Sequence, residues 1–507
     1  MKKIFFLAFF ACFFLVLKMS VLAAPTLIGQ CHGTNKLGVD LGNNINVSWG
    51  YDSGVEFFWS TVEPRRGVFN WSSVDAQINK HPAGSQVWIQ VITSNDGNQT
   101  MPLWTISSNT SYPFPGTCES TNTCIRQLPE HTYPYRPYCV PNQQYKNGRP
   151  VQWDKNYLIF FEELIASMAN RYDNNPKVEA ILMMSGGNYG EMSQTYGFYC
   201  PADGPNGIAP LVPPCPGPTS VVADRIVYAK DKESIYTQEM LRVFPSETTD
   251  SLISPYTDGR YSYLTKWDYY YAENSKKLID IYTKYFINKP VVLQIGNGIS
   301  CTDVVAKSVA DYAVETYGKR VWLKQNGWGN AASGYDPYAY FFNPYKDKTK
   351  VIREVGHPNQ WCEAFPTCTN TFSASFCYYL SSCARTSRAD AILHNNNAVK
   401  ASIESGISAV CFQGQFLTSS YFYYFPIDFL TLKNGLEKNY LAYEQIPDTL
   451  PPSCQQRLNG DVNKDGVINN LDYQAWRSEF LSGVKNNADL NCDNKVSLID
   501  FEIWRRN

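Results

Sequence analysis

Residues 156–184, NYLIFFEELIASMANRYDNNPKVEAILMM, combine a helical pattern and a strand pattern around a short polar turn. Apolar side chains recur at three- and four-residue spacing over 156–171, which predicts an amphipathic helix; they are Leu158, Phe161, Leu164, Ile165 and Met168. Residues 178–184 are almost continuously apolar, which is typical of a strand buried on both faces. A helix followed at once by such a strand indicates a parallel sheet covered by helices.

The same alternation recurs over most of the chain. Short apolar runs occupy 54–59, 86–92, 290–295, 320–324, 350–353 and 406–412, and residues 274–286 repeat the helical pattern. Polar, proline- and cysteine-rich insertions at roughly 100–150, 200–260 and 358–390 mostly follow these runs. The arrangement predicts an α/β fold, a (β/α)8 TIM barrel with long, disulfide-rich loop insertions, over residues 25–445. In such a barrel the loops after the strands build the active site.

The N-terminus has the layout of a secretory signal peptide. Two lysines, Lys2-Lys3, precede the apolar stretch Ile4–Leu17, and Val21-Leu-Ala23 offers a cleavage site. We therefore expect residues 1–23 to be removed and the protein to be secreted. Retention of the segment as a membrane anchor stays an alternative, although the stretch is short for a membrane span. No other stretch is long and apolar enough to span a bilayer, so a soluble mature chain is expected.

Fifteen cysteines fit a protein exported into an oxidising environment. Four pairs lie close together in loop-like sequence, namely Cys118 and Cys124, Cys200 and Cys215, Cys362 and Cys368, and Cys377 and Cys383. We expect disulfides to fasten the surface insertions, with a connectivity that the sequence leaves open. No cysteine or histidine spacing indicates zinc, and Cys492 is expected to be a free thiol.

Charge and aromatic content narrow the class of partner. The net charge is −2, which offers no electrostatic footprint for a nucleic acid. Aromatic residues make up 15% of the chain, and their flat faces suit either the rings of sugars or simply a large core. The sequence has no glycine-rich phosphate loop, and it has no GxSxG motif with partners for a hydrolase triad. A nucleotide-binding protein and a serine esterase are therefore not expected.

Two segments near the C-terminus repeat each other at an interval of 28 residues (489 − 461 = 28). The first is Asp461-Val-Asn-Lys-Asp-Gly-Val-Ile-Asn-Asn-Leu-Asp472, and the second is Asp489-Leu-Asn-Cys-Asp-Asn-Lys-Val-Ser-Leu-Ile-Asp500. Each has oxygen-bearing side chains at positions 1, 3, 5, 9 and 12 and a backbone carbonyl at position 7, the pattern of an EF-hand-like calcium loop. The predicted ligands are Asp461, Asn463, Asp465, Val467, Asn469 and Asp472 in the first loop and Asp489, Asn491, Asp493, Lys495, Ser497 and Asp500 in the second.

Each loop runs into a short aromatic helix pattern, Tyr473–Trp476 and Phe501–Trp504. This tandem of loop and following helix resembles a type I dockerin over residues 459–507. The resemblance implies a small all-α domain that binds two Ca²⁺ ions. It also implies that the domain docks onto a cohesin domain of a scaffold or surface protein; attachment to a cell surface through the dockerin is one form that this docking can take. The stretch before it, 446–458, contains three prolines and is expected to be a linker.

The tail departs from the dockerin pattern at two places. Asn494 stands where the sharp turn of the loop prefers glycine, although asparagine tolerates positive φ. Positions 10 and 11 are Asn470-Leu471 and Leu498-Ile499, and in dockerins these pairs help to select the cohesin. The identity of the cohesin partner therefore stays open.

Residues 56–71, EFFWSTVEPRRGVFNW, resemble a segment near the second barrel strand of several retaining glycoside hydrolases, including the family 42 and family 35 β-galactosidases. The shared pattern is a tryptophan, a Glu-Pro pair, a glycine and further aromatic residues before a helix. In that family the Glu-Pro turn is mainly architectural, so the resemblance implies a structural role for Glu63. The implied activity is cleavage of O-glycosidic bonds in poly- or oligosaccharides by two glutamates, with no catalytic cofactor.

Glu191 and Glu354 are the predicted catalytic pair. Glu191 follows the strand pattern 178–184 and the run Ser185-Gly-Gly187, and Glu354 ends an apolar run. Members of this clan carry their acid/base after strand four and their nucleophile at the end of strand seven. The resemblance therefore implies Glu191 as proton donor and then general base, and Glu354 as nucleophile. Most members have Asn directly before the acid/base, whereas Asn188 lies three residues earlier.

The sequence leaves the stereochemistry and the non-catalytic interpretations open. Carboxyl groups roughly 5–5.5 Å apart make a retaining enzyme, whereas a separation of roughly 6.5–9.5 Å makes an inverting one. Glu191 could be a structural or surface residue, and Glu354 could form a buried salt bridge with Arg353.

Five residues at or beyond predicted strand ends are predicted to contact substrate: Trp59, Asn188, Asn326, Trp328 and His357. Trp104, Trp322 and Trp361 occupy similar positions, and Gln325 is a further candidate for binding hydroxyl groups. An indole at such a position stacks on a sugar ring or packs beneath a loop, and the sequence does not separate the two.

Two alternatives to an enzyme remain. A non-catalytic carbohydrate-binding or scaffold protein could keep the barrel without turnover, an alternative that the altered spacing of Asn188 keeps open. A surface-attached structural protein, in which the tail is a calcium-stabilised anchor, would bind no saccharide.

Overall fold

The computed structural model describes residues 28–32, 56–81, 86–93, 100–107, 117–118, 124–125, 127–130, 147–150, 152–183, 241–263, 265–295, 304–326, 342–355, 400, 403–413, 429–446, 460–463, 465, 467–482, 488, 490, 496, 501 and 504–505. For residues 28–32, 127–130, 147–149, 253, 325–326, 354–355, 411–413 and 429 the description is limited to the backbone.

Eight strands form one sheet in which every hydrogen-bonded pair is parallel. They are β1 Ile28–His32, β2 Glu56–Phe58, β3 Val87–Ile92, β4 Val178–Leu182, β5 Val291–Ile295, β6 Val321–Asn326, β7 Val351–Val355 and β8 Ala409–Gln413. Neighbours follow the order β1-β8-β7-β6-β5-β4-β3-β2, which is the strand order of an α/β barrel. Between β1 and β2 the described residues make no pairing.

The apolar pattern of the sequence predicts β2–β8 but not β1. Continuous apolar runs mark strands that helices cover on one face and other strands on the other. The sequence of β1 is IGQCH, which has too few apolar residues to give this signal. Its strand state follows from parallel pairing with β8, from Ile28 opposite Val410 to His32 opposite Gln413. The first strand is thus a consequence of tertiary pairing.

Six helices of nine or more residues lie within the described parts of the chain. They are α1 Ser72–Lys80, α2 Lys155–Tyr172, α3 Lys266–Tyr285, α4 Val304–Tyr317, α5 Phe429–Glu444 and α6 Asn470–Ser482. Shorter elements are the helices Trp59–Val62 and Thr249–Ile253 and the antiparallel pairs Gln127–Glu130 with Asn147–Pro150 and Tyr256–Thr257 with Ser262–Tyr263. No helix in these parts of the chain is long and apolar enough to cross a membrane.

The two faces of the sheet have separate cores. Val87, Ile89 and Val91 of β3 pack in the large cluster that also contains the buried faces of α1–α4. Their neighbour Trp88 points to the opposite face, because successive strand residues alternate sides. There it joins a second cluster, made only of strand residues: Ala180, Leu182, Val292, Trp322, Ile352 and Ala409. This second cluster fills the concave interior that an α/β barrel encloses.

A disulfide fastens the chain that follows β3. Cys118 and Cys124 are bonded to each other, and the Cys118 N–H donates to the Ile106 carbonyl at 3.0 Å. The Asn156 side-chain amide, at the start of α2, donates to the Cys124 carbonyl at 3.0 Å. These bonds hold the insertion against α2. The other three pairs of cysteines that lie close together in sequence are outside the described residues.

Candidate functional sites

The interior face of the sheet changes from apolar to polar along four of its strands. The second residues of β3, β5, β6 and β7 are apolar, namely Trp88, Val292, Trp322 and Ile352. The fourth residues are polar, namely Gln90, Gln294, Lys324 and Glu354. Second and fourth residues share a face, because the side-chain period of a strand is two. The polar positions lie nearer the carboxyl ends of the strands, where barrel enzymes carry their chemistry.

Lys324 is the charged centre of this polar layer. Its side chain is 0% exposed, and its Nζ donates to Gln294 Oε1 at 2.9 Å. Gln90 is also buried, and its register partner on β2 is Glu56. No motif in the sequence predicted Lys324, Gln90 or Gln294 as site residues. The signal that reveals them is a polar residue at the same place in several otherwise apolar strand patterns.

Glu354 and Asn326 are register partners on adjacent strands. The backbone of β6 pairs Asn326 with Glu354, and β8 pairs Cys411 with Glu354 on the other side. Strand alternation places position 354 on the face of Ile352, which belongs to the interior cluster. Glu191, Asn188, Trp328 and His357, together with Trp361, lie outside the described residues. In sequence, Glu191 follows the end of β4 at Leu182 by nine positions (191 − 182 = 9).

A charged and aromatic cluster closes the opposite end of the sheet interior. The buried Lys350 places its Nζ 3.4 Å from Glu179 Oε1 and 4.0 Å from the centre of the Trp322 ring. Trp88 Nε1 donates to Glu179 Oε2 at 2.8 Å, and Trp322 Nε1 donates to Tyr443 Oη at 3.1 Å. Trp322 therefore packs near the amino ends of the strands. It does not lie at a strand end where a sugar would bind, contrary to the expectation from sequence.

Trp59 belongs to the core and not to a sugar-binding surface. Its side chain is 0% exposed, and its ring makes edge contacts with Trp104, Tyr157 and Phe161. Its Nε1 donates to Glu63 Oε2 at 2.6 Å. A fully buried indole cannot stack on a substrate ring, so the assignment of Trp59 as a substrate contact is corrected.

Glu63 organises the turn after β2, as its predicted structural role requires. The carboxylate is buried, with Oε2 accepting from Trp59 and Oε1 accepting from the Gly67 N–H at 2.7 Å. Gly67 has φ +71, a conformation that glycine adopts without strain. The Glu63 backbone carbonyl accepts from Trp104 Nε1 at 3.0 Å. Burial raises the pKa of the Glu63 carboxyl above its usual value, and the bonds from Trp59 and Gly67 offset this only in part.

The first tail loop folds its predicted calcium donors onto its own backbone. Asp461 Oδ1 and Asn463 Oδ1 both accept from the Asp465 N–H, at 3.2 and 2.9 Å. Asp465 Oδ1 in turn accepts from the Val467 N–H at 2.9 Å. These side-chain-to-backbone bonds wind the first half of the loop and keep its oxygen-bearing side chains close to one another.

Asp472, at position 12, closes the loop. Its side chain is 0% exposed, Oδ1 accepts from the Asn463 N–H at 3.0 Å, and Oδ2 accepts from the Asn469 N–H at 2.8 Å. A carboxylate has about four lone-pair sites, so both oxygens keep capacity for a cation. Gly460, directly before the loop, has φ +78, which lets the chain turn into it.

The donor set of this loop fits calcium. Carboxylate, amide and backbone carbonyl oxygens are the ligands that Ca²⁺ prefers, and the three aspartates more than offset the charge of a divalent cation. Among the described side chains no group of three His, Cys, Asp or Glu residues forms a preformed metal cluster. Such a loop does not require one, because amide and carbonyl oxygens complete the coordination. The predicted ligands of the second loop, Asp489, Asn491, Asp493, Lys495, Ser497 and Asp500, lie outside the described residues.

Equivalent residues of the two repeats share one tail core. Its buried cluster is Val462, Trp476, Ala488 and Leu490, and the partly buried Tyr473, Phe501 and Trp504 pack against it. Three pairs of these residues are separated by the same 28 positions as the loops: Val462 and Leu490, Tyr473 and Phe501, and Trp476 and Trp504. The Trp476 and Phe501 rings lie 4.9 Å apart, centre to centre. The module is therefore one folding unit built from both repeats.

Residues 459–507 match the Dockerin type I domain, so the C-terminal module is a type I dockerin domain. No curated protein matches the chain. Among solved structures, the chain is similar to the β-galactosidase of the psychrophilic Marinomonas ef1, with 12% identity and a TM-score of 0.34 over 72% of this chain and 49% of that one. It is also similar to endo-glycoceramidase II of Rhodococcus sp., with 9% identity and a TM-score of 0.31 over 77% of this chain and 72% of that one. The chain thus spans about half the length of the β-galactosidase, and at these values neither likeness bears on function.

Proposed function

We propose that the protein is a secreted glycoside hydrolase that a dockerin domain attaches to a cohesin partner. The main support for the enzymatic part of this proposal is the layer of polar residues on the interior face of the sheet. Gln90, Gln294, Lys324 and Glu354 occupy the same position in four strands, towards the carboxyl edge of a sheet with barrel strand order. A closed (β/α)8 barrel over residues 25–445 is part of the proposal.

Glu191 and Glu354 are the proposed acid/base and nucleophile. β4 and β7 are separated by β5 and β6 in the sheet. Because each pair of neighbours from β4 to β7 is parallel, the carboxyl ends of β4 and β7 lie at the same edge of the sheet. A carboxylate at 354 attacks the anomeric carbon and forms a glycosyl ester, while a protonated Glu191 donates its proton to the leaving oxygen. Glu191 then removes a proton from a water molecule, which attacks the same carbon, breaks the ester bond and restores the carboxylate of Glu354. The two carboxyl groups need different environments, one that holds a proton and one that stays ionised.

The substrate contacts proposed are Asn188, Asn326, Trp328 and His357. Asn326 has the best-supported place, because it is the register partner of Glu354 on β6. A side-chain amide there would donate to and accept from sugar hydroxyl groups beside the nucleophile. Trp59 is not part of this set, since it is buried.

The docking half of the proposal rests on the dockerin domain. Its two loops would each hold one Ca²⁺, with Asp461, Asn463, Asp465, Val467, Asn469 and Asp472 as the donors of the first. The partner would be a cohesin domain of a scaffold or surface protein. Export after removal of residues 1–23 and a linker over 446–458 belong to the same proposal.

The test is sugar release by the mature protein from a panel of polysaccharides and aryl β-glycosides. Glu354→Gln keeps the size of the side chain and removes the nucleophile, so turnover should fall by roughly 10³-fold or more. Glu63→Gln is the matched control, because the same chemical change falls on a buried core glutamate and should leave turnover measurable at low temperature. The anomer first formed, followed by NMR, distinguishes retention from inversion.

Each outcome decides between the alternatives. If the Glu354→Gln variant still releases sugar, the glycoside hydrolase activity stands and Glu354 is rejected as its nucleophile. Saccharide binding without release by the parent protein favours a non-catalytic carbohydrate-binding barrel. Absence of both binding and release would leave only the docking half of the proposal standing.

A further inference from the structure

Trp504 belongs to the second dockerin repeat but contacts the first calcium loop. Its indole Nε1 donates to the backbone carbonyl oxygen of Asn469 at 3.3 Å. Its ring lies 5.2 Å from that of Tyr473, on α6, and 5.6 Å from that of Phe501, centre to centre. The contact therefore reaches across the tail core from one repeat to the ligand loop of the other.

Asn469 connects the donor positions of the first loop. Its N–H donates to Asp472 Oδ2 at 2.8 Å, and its side-chain amide donates to the Val467 carbonyl at 3.3 Å. Its own carbonyl oxygen accepts from the Asp472 N–H at 3.1 Å as well as from Trp504, which uses both of its lone pairs. The position of Asn469 thus sets where the carbonyl of position 7 and the carboxylate of position 12 lie.

We propose that Trp504 is a positioning residue for the first calcium loop, so that the calcium affinity of Asp461–Asp472 depends on the second repeat. The inference rests on the proposed calcium binding of the tail. A loop held near its liganded geometry loses less freedom when the cation binds, and that lowers the dissociation constant. One neutral hydrogen bond corresponds to a change of about 2- to 12-fold in that constant.

The experiment is calcium titration of the full-length protein by isothermal titration calorimetry. Trp504→Phe removes the indole N–H and keeps an aromatic ring. It is introduced into two background variants. Asp489→Ala disables the second loop, so that the titration measures calcium binding by the first loop alone. Asp461→Ala disables the first loop, so that the titration measures the second loop alone. Trp504→Phe should weaken binding about 2- to 12-fold in the Asp489→Ala background and leave the affinity in the Asp461→Ala background unchanged.

Trp104→Phe is the matched control, because it also removes an indole bond to a backbone carbonyl, that of Glu63 at 3.0 Å, in the large domain. Its calcium affinities should equal those of the parent. Near-UV circular dichroism at saturating calcium verifies that each variant is folded.

Equal affinities with and without Trp504→Phe in the Asp489→Ala background overturn the proposal. Equal losses in both backgrounds overturn it too, because they reflect a looser core and not a contact with one loop. If Asp489→Ala abolishes all binding, the two-site titrations of the parent and Trp504→Phe decide, and two unchanged constants reject the proposal. A parent protein that binds no calcium refutes the calcium function itself, and this result appears before any substitution is made.

Discussion

Glu63 illustrates how burial sets the properties of a single side chain in this protein. Its sequence context, a Glu-Pro pair after a strand, resembles glycosidases, yet its carboxylate lies in the core and accepts from Trp59 and Gly67. Desolvation raises its pKa because the charged form loses hydration that two hydrogen bonds replace only in part. The residue therefore contributes to the architecture around β2, and its charge has a cost.

The cost of ionising Glu63 in the core predicts that its contribution to the stability of the fold depends on pH. A carboxyl whose folded pKa is raised binds more protons in the native state, so its contribution to stability is fully present below the unfolded pKa and is lost as pH rises through the folded value. The free energy of unfolding of the parent minus that of Glu63→Gln should therefore fall as pH rises above the usual pKa of a glutamate side chain. Urea unfolding at several pH values measures the difference, and a difference that grows with pH would contradict the assignment.

Loss of the Glu63 hydrogen bonds has a predictable size. Glu63→Ala leaves the indole N–H of Trp59 and the N–H of Gly67 without their acceptor. The Trp59 donor is buried and costs roughly 1–3 kcal/mol when it is left unsatisfied, whereas Gly67 is exposed and its N–H can bond to water instead. The variant should therefore be destabilised more than Glu63→Gln, whose amide oxygen can still accept the indole bond. Equal midpoints of thermal unfolding for the two variants would show that these bonds contribute little.

At the scale of elements, the amino-terminal end of α3 shows how a local sequence motif and tertiary packing together stabilise a helix. Thr265 and Asp268 form a capping box: Thr265 Oγ1 accepts from the Asp268 N–H at 3.1 Å, and Asp268 Oδ2 accepts from the Thr265 N–H at 3.1 Å. Both side chains are buried. The Thr248 box of the helix Thr249–Ile253 has the same bonds, with Ser251 in the place of Asp268, but it is exposed.

The two boxes permit a matched comparison. Thr265→Ala should destabilise the large domain by about 1 kcal/mol or more, because a buried cap of a core helix is lost. Thr248→Ala should cost less, since a five-residue helix at the surface can fray without disturbing the core. Denaturant midpoints of the two variants check this order, and an equal or larger effect at Thr248 would show that packing does not amplify the loss of a cap.

At the scale of the whole molecule, the chain consists of a large sheet domain and a dockerin domain with separate sources of stability. The large domain is stabilised by the two apolar clusters of its sheet. The apolar core of the tail is small, and each of the two loops carries three aspartates that repel one another. Small domains commonly need a metal to fold, and calcium binding energy is folding energy when the apo site is unformed.

Chelation should therefore act on one part of the molecule. With EDTA in place of calcium we expect the unfolding transition of residues 459–507 to disappear and that of the large domain to remain. Calorimetry with and without calcium measures both, and binding of a cohesin domain should be lost in the same samples. A tail whose near-UV spectrum is unchanged in chelator would contradict the calcium sites.

Several features follow from the sequence by itself. The dockerin loops are local, since ligands spaced within twelve residues need no knowledge of distant segments, and their repeat after 28 residues identifies them. The strands β2–β8 and the helices α2 and α3 follow from periodicity, because an apolar strand or helical face must be buried whatever covers it. Glu354 could likewise be placed at a strand end from its local pattern.

The tertiary structure alone decided which side chains are exposed and which segments meet. Trp59 and Trp322 look like sugar-stacking residues in sequence, but one lies in the core beside α2 and the other near the amino ends of the strands. Lys324 lies buried against Gln294, β1 exists through its pairing with β8, and Trp504 reaches Asn469 in the other repeat. These facts depend on contacts between segments far apart in the chain. Periodicity and spacing report only the neighbours of a residue along its own element, so they cannot determine such contacts.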